Sequence, residues 1–206
     1  SLGNVNIKYS KDGGVDNYQY LIKTVPSADL SYTWSIGYND GCAGFTALNT
    51  AHDPDLVIDS DRNTNIKIKI VSVTDGDIND ISTAALTIQK RFNNVAVPSP
   101  TLKVGDNSVA LSNITWGTQG KLPANVLLNY DTTSGSGGYL STINGGNPLS
   151  DAGGYVWNVP DSIGKFTRIR VKSANFPTDV YADMVSDFVI KGNVVPVSPT
   201  ASSTLV

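Results

Sequence analysis

The chain has 206 residues, a net charge of −3, a single Cys, a single His and 18 acidic side chains, every one of them Asp. Its Lys and Arg residues are dispersed, so no basic patch points to nucleic acid or an anionic membrane, and no apolar run approaches the roughly 20 residues of a spanning helix. With no Glu, 19 Asn, 19 Gly and 10 Pro, the composition favours caps, turns and strands over helical bundles and predicts an all-β protein.

In chain order, Val5-Asn6-Ile7-Lys8-Tyr9-Ser10 alternates apolar and polar residues and runs into the turn Lys11-Asp12-Gly13-Gly14. Tyr32-Thr33-Trp34-Ser35-Ile36 is the next strand-like block. After it comes a stretch at about 37–65 without alternation, read as an inserted loop. Alternation returns in Asn65-Ile66-Lys67-Ile68-Lys69-Ile70, with Ile on one face and Lys on the other, and again in Leu86-Thr87-Ile88. Asn94-Val95-Ala96-Val97-Pro98-Ser99-Pro100-Thr101 reads as a short, Pro-stiffened connector.

The second half repeats these blocks in the same order. Val126 to Asp131 matches Val5 to Ser10, Tyr155-Val156-Trp157 matches Tyr32-Thr33-Trp34, and Ile169 to Ser173 matches Ile68 to Ser72. Phe188-Val189-Ile190 then matches Leu86-Thr87-Ile88, and Asn193 to Thr200 matches the connector. Order as well as similarity argues for duplication. Thr101-Leu102-Lys103-Val104, Ser108-Val109-Ala110-Leu111 and Asn113-Ile114-Thr115-Trp116-Gly117 read as opening strands ahead of Val126, with no counterpart ahead of Val5. The expected organisation is a first unit over 1–93 without its opening strands, a linker over 94–101, a second unit over 102–192, and a linker or the start of a further unit over 193–206. On this reading the chain is cut from a longer array, or a neighbour's tail supplies the missing strands.

Asn4-Val5-Asn6-Ile7-Lys8-Tyr9-Ser10-Lys11-Asp12-Gly13-Gly14, the run from Trp116 to Tyr130, and Tyr155-Val156-Trp157-Asn158-Val159-Pro160 resemble bacterial immunoglobulin-like or fibronectin type III-like surface repeats. The resemblance implies tandem immunoglobulin-like antiparallel β-sandwiches. It also implies a non-catalytic structural segment of a cell-surface, S-layer-like, adhesin-like or fibrous extracellular protein, with neighbouring repeats of the same or an identical chain as partners. The alternative is a carbohydrate-binding or accessory module of a secreted polysaccharide-degrading enzyme or adhesin, with a cell-wall or surface glycan as partner.

Candidate sites are few. Asp59, Asp61 and Asn63, and Asp75, Asp77, Asn79 and Asp80, place oxygen ligands at alternate positions as a Ca²⁺ loop does, yet neither run completes an EF-hand. Ca²⁺ is thus a candidate ligand and no cofactor is required. Exposed rings can stack sugars, and Tyr38 and Phe45 in the inserted loop are the platform candidates, with Tyr18, Tyr20 and Tyr139 also considered. Trp34, Trp116 and Trp157 are expected in the core. Cys42 and His52 share one loop without an oxyanion motif and have no counterparts in the second half, so no catalytic residue is nominated.

Overall fold

The computed structural model describes residues 3–34, 61–119 and 125–194. It is all-β: strands dominate, all but one of the strand pairings are antiparallel, and the α-helix among the described residues is a single turn. In the first half, β1 (Asn4–Ser10), β2 (Tyr20–Pro26), β3 (Arg62–Ser72) and β4 (Asn79–Ile81) form a sheet in the order β2-β1-β3-β4, and β5 (Leu86–Gln89) also pairs with β3. Pairing of Tyr9 with Ile68 and of Ile7 with Ile70 puts the Ile residues on one face and Lys8, Lys67 and Lys69 on the other.

In the second half, β6 (Arg91–Ala96) opens a three-stranded sheet with β8 (Asn113–Gln119) and β12 (Gly154–Val156). The chain crosses at Val97–Pro100 to β7 (Thr101–Lys103), which joins a larger sheet beside β15 (Phe188–Lys191), in parallel. That sheet continues through β13 (Gly164–Ser173) and β9 (Asn125–Asp131) to β10 (Ser141–Thr142), with β11 (Leu149–Ser150) also on β9 and β14 (Tyr181–Asp183) also on β13. Both sheets feed one core, to which the smaller contributes Phe92, Val95, Ile114 and Trp116 and the larger Leu128, Ile169, Val171 and Phe188.

Two expectations meet different structure. Residues 94–101, read as a linker, hold the end of β6, the crossing at the prolines and the first residue of β7. Asn94, at φ 50°, bulges the strand and brings Phe92 and Val95 to the same side although they are three residues apart. That bulge hides the strand from a strict test of alternation. Ser108 to Leu111, read as a strand, instead leads into one helical turn, α1 (Val109–Ser112), whose Leu111 and Ser112 amides donate to the Ser108 carbonyl. Val109 and Leu111 are exposed, so no partner strand draws the segment out.

The halves repeat each other in detail. β13 breaks register between Gly164 and Thr167 against β15, as β3 does between Asn63 and Ile66 against β5. Tyr18 and Tyr139 both adopt φ 56°, and a Cβ on Gly14 or Gly135 would lie 2.9 Å from the respective tyrosine hydroxyl. Both glycines have positive φ, so each turn needs a residue without a side chain at that point.

Candidate functional site

Tyr38, Phe45, Cys42, His52 and Asp59 lie outside the described residues. The remaining oxygen-bearing candidates fall into two separate places. Asp61 and Asn63 stand at the start of the 11-residue β3 and Asp75, Asp77, Asn79 and Asp80 beyond its end, roughly 30 Å away along an extended strand. In the second group Asp75 accepts the Asp77 amide, the Asn79 side chain donates to the Gly76 and Asp77 carbonyls, and Asp80 accepts the Ile81 amide. Asn63 bridges the Lys11 carbonyl and the Asn65 amide. Among the described residues no three Asp, His or Cys side chains gather as a metal site.

Tyr18 and Tyr139 are buried and do not serve as exposed platforms. The Lys69 ammonium lies 5.8 Å from the Tyr18 ring centre, and at the equivalent place the Arg170 guanidinium lies 4.3 Å from Tyr139 and 4.2 Å from Tyr181. Asp183 binds that guanidinium through two hydrogen bonds. Tyr20 stacks on Tyr9 at 4.9 Å. Trp34 packs against Tyr9 and Trp157 against Tyr130, with ring centres 5.4 and 5.2 Å apart, while Trp116 joins the second core.

A first distinctive feature is the apolar face of the first sheet. Val126, Leu128, Ile169 and Val171 are 0–1% exposed because the β6-β8-β12 sheet covers them. Their counterparts Val5, Ile7 and Ile68 are half-buried and Ile70 is 46% exposed. Val5, Ile7 and Ile70 line a groove of about 210 Å³ together with Val25, Leu30 and Tyr32. Tyr155 pairs with β8, whereas Tyr32 and Thr33, in the matching block, form no strand.

The second feature is the junction. One residue, Lys90, separates β5 of the first sheet from β6 of the second, and it is 1% exposed. Strand alternation turns it inward with Ile88 and Phe92. Its Nζ lies 2.5 Å from Asp151 Oδ2, 3.8 Å from Asp61 Oδ1 and 5.2 Å from the centre of the Phe92 ring. Asp151 Oδ1 accepts hydrogen bonds from Trp116 Nε1 at 2.7 Å and Thr118 Oγ1 at 3.0 Å, and Asp61 accepts one from Ser173 Oγ. The Lys90 amide donates to the Asp61 carbonyl at 2.7 Å. Outside this buried cluster, Arg62 lies 3.6 Å from Asp179, whose carbonyl accepts from Gln89. Sequence reading chose Asp61 as a cation ligand and passed over Lys90, although the series Ile88, Lys90, Phe92 already placed a Lys on an inward face.

The turns that follow β1 and β9 are held by equivalent acceptors. Ser10 Oγ accepts from the Asp12 and Gly14 amides, and Asp131 accepts from the Thr133, Gly135 and Tyr139 amides and the Thr133 hydroxyl. Burial pushes the Asp131 carboxyl upward, but those hydrogen bonds outweigh it and hold the group below 3.8. No protein-family model matches this chain, and no curated protein matches it.

Proposed function

We propose that the chain is a non-catalytic structural segment of a cell-surface, S-layer-like or fibrous extracellular protein, built from tandem immunoglobulin-like sandwiches and acting in spacing and assembly. The observation that carries this reading is the way the two halves are joined: repeated strand sets meet through one buried residue, with ion pairs and hydrogen bonds on both sides of it. A flexible linker would let the halves move as beads, whereas a buried charged junction fixes their angle, as a spacer or a lattice subunit requires.

Among the described residues no second sheet covers the apolar face of the first sheet, and this supports the assembly part. It takes the opening strands of a neighbouring repeat, of the same or an identical chain, in the place that the β6-β8-β12 sheet fills in the second half. Its apolar residues are spaced for strands of that pattern, and their equivalents are covered by such a sheet.

Sedimentation velocity over a range of concentrations tests this, run beside a polysaccharide pull-down. Association that rises with concentration and is lost in Ile70→Asp is the expected result. A chain that stays monomeric at every concentration would sink the assembly role, and retention on a polysaccharide would move the assignment to sugar binding.

A further inference from the structure

The Lys90 cluster has a chemistry that a structural ion pair does not need. Although Nζ sits 2.5 Å from Asp151 Oδ2, the approach lacks the angles of a hydrogen bond, and Nζ has no hydrogen-bond partner among the described residues. Both side chains are buried, and a second carboxylate, Asp61, stands 3.8 Å from the same nitrogen. Trp116 Nε1 donates to Asp151 Oδ1, the oxygen facing away from the closest approach, and the Thr118 hydroxyl is shared between Oδ1 at 3.0 Å and Oδ2 at 3.1 Å. Thus an amine is aimed at a carboxyl group, the Trp116 donor is placed to hold negative charge on the carboxyl's other oxygen with Thr118 shared between the two oxygens, and an acid-base group lies beside the nitrogen. The place equivalent to Lys90 in the second half holds no amine: Gly192, which follows Ile190 as Lys90 follows Ile88, lies near the Ile163 side chain.

We propose that Lys90 and Asp151 become joined by an intramolecular isopeptide bond, formed by the folded protein itself with Asp61 as the proton carrier. Asp61 takes one proton from the Lys90 ammonium, and the Nζ lone pair so freed forms a bond to Asp151 Cγ while negative charge collects on Oδ1 under Trp116 and Thr118. The bond from Cγ to Oδ2 then breaks, and its electron pair leaves with Oδ2. Two of the three protons of the Lys90 ammonium pass through Asp61 to Oδ2, which departs as water, and the third stays on the amide nitrogen. Oδ1 becomes the amide carbonyl oxygen and still accepts from Trp116 and Thr118. Nothing is oxidised or reduced, and a buried positive and a buried negative charge are replaced by one neutral amide.

Two physical effects favour condensation here. Held reactants reach effective molarities of about 10⁵–10⁸ M, far above that of water. Keeping two opposite charges in an apolar interior is costly, and the amide removes that cost. The bond ties the residue at the entry of β6 to the segment between β11 and β12, so that the strand opening the second half cannot be pulled off its sheet while the bond holds. This proposal does not rest on the assembly reading, because its chemistry needs the fold and no partner.

Intact-mass spectrometry of the folded chain tests it. The expected mass is one water below that of the sequence, and a protease digest should yield a branched peptide carrying both Lys90 and Asp151. Asp61→Asn and Lys90→Met should retain their full sequence masses, while Asp151→Asn should fall by one ammonia, because the same attack then expels nitrogen. Circular dichroism of each variant establishes that a missing bond does not reflect a missing fold. Full sequence mass in both the folded parent chain and Asp151→Asn would overturn the proposal, leaving a buried ion pair. Water loss that persists in Asp61→Asn would overturn the role of Asp61.

Discussion

Val126, Leu128 and Val171 are at most 1% exposed, whereas Val5, Ile7 and Ile70, in the same register of the same strand pair, are half-open, and Ile70 reaches 46%. Residue type does not explain the contrast, since Ile70 is at least as apolar as Val171. The difference lies in what faces the strands. In the second half a sheet carrying Phe92, Ile114 and Trp116 closes over them. In the first half, among the described residues, Trp34 and Ile68 pack on the small cluster of Tyr9, Ile22, Ile66 and Ile88, while Val5, Ile7 and Ile70 border a groove. Identical patterning therefore yields a closed core or an unfinished one according to the partner sheet, and burial follows topology before it follows sequence.

The largest way to break the comparison is at the junction between the halves. Lys90→Met removes the link to Asp151 and leaves the Asp61 and Asp151 carboxylates buried with no cation beside them, which should cost about 3–5 kcal/mol in guanidinium unfolding. Next comes the closed core: Leu128→Ala should cost about 2–5 kcal/mol, and Ile7→Ala, its counterpart on the open face, clearly less in the same titration. A smaller effect is expected at the turn after β9, where Asp131→Ala strips acceptors from buried amides at a cost of about 1–3 kcal/mol.

Acid offers the same lever without mutation. The folded Asp131 carboxyl lies below its ordinary 3.8, so its stabilisation is fully present above that value and is lost as pH falls through the lower, folded one. Thermal melts stepped downward from pH 4 should show this loss in the parent chain, and Asp131→Ser, which copies the acceptor at Ser10, should reduce it. The smallest change is Ile70→Ala, expected to cost under about 1 kcal/mol at a position already 46% exposed.

Strand alternation made β1, β3, β9, β13 and β15 legible, because Ile7, Ile68, Leu128 and Ile169 each have one buried face to satisfy. The opening of the second half was harder to see. Asn94 breaks the period of β6, and Pro98 and Pro100 carry the signature of a connector while serving as a crossing between sheets. The one-turn helix at Val109 was hidden because β-branched content is a weak guide where no partner strand exists. Asp61 stood out as one oxygen among many, and only tertiary structure brings it beside Lys90, 29 residues further along the chain, and Ser173, 112 residues away.

Hydrogen–deuterium exchange on the whole chain, followed by mass spectrometry at two protein concentrations, tests unequal cover most directly. The account predicts slow exchange in β9 and β13 at both concentrations, and faster exchange in β1 and β3 that slows as concentration rises and neighbouring copies cover the open face. Equal protection of the two strand pairs at both concentrations would contradict it.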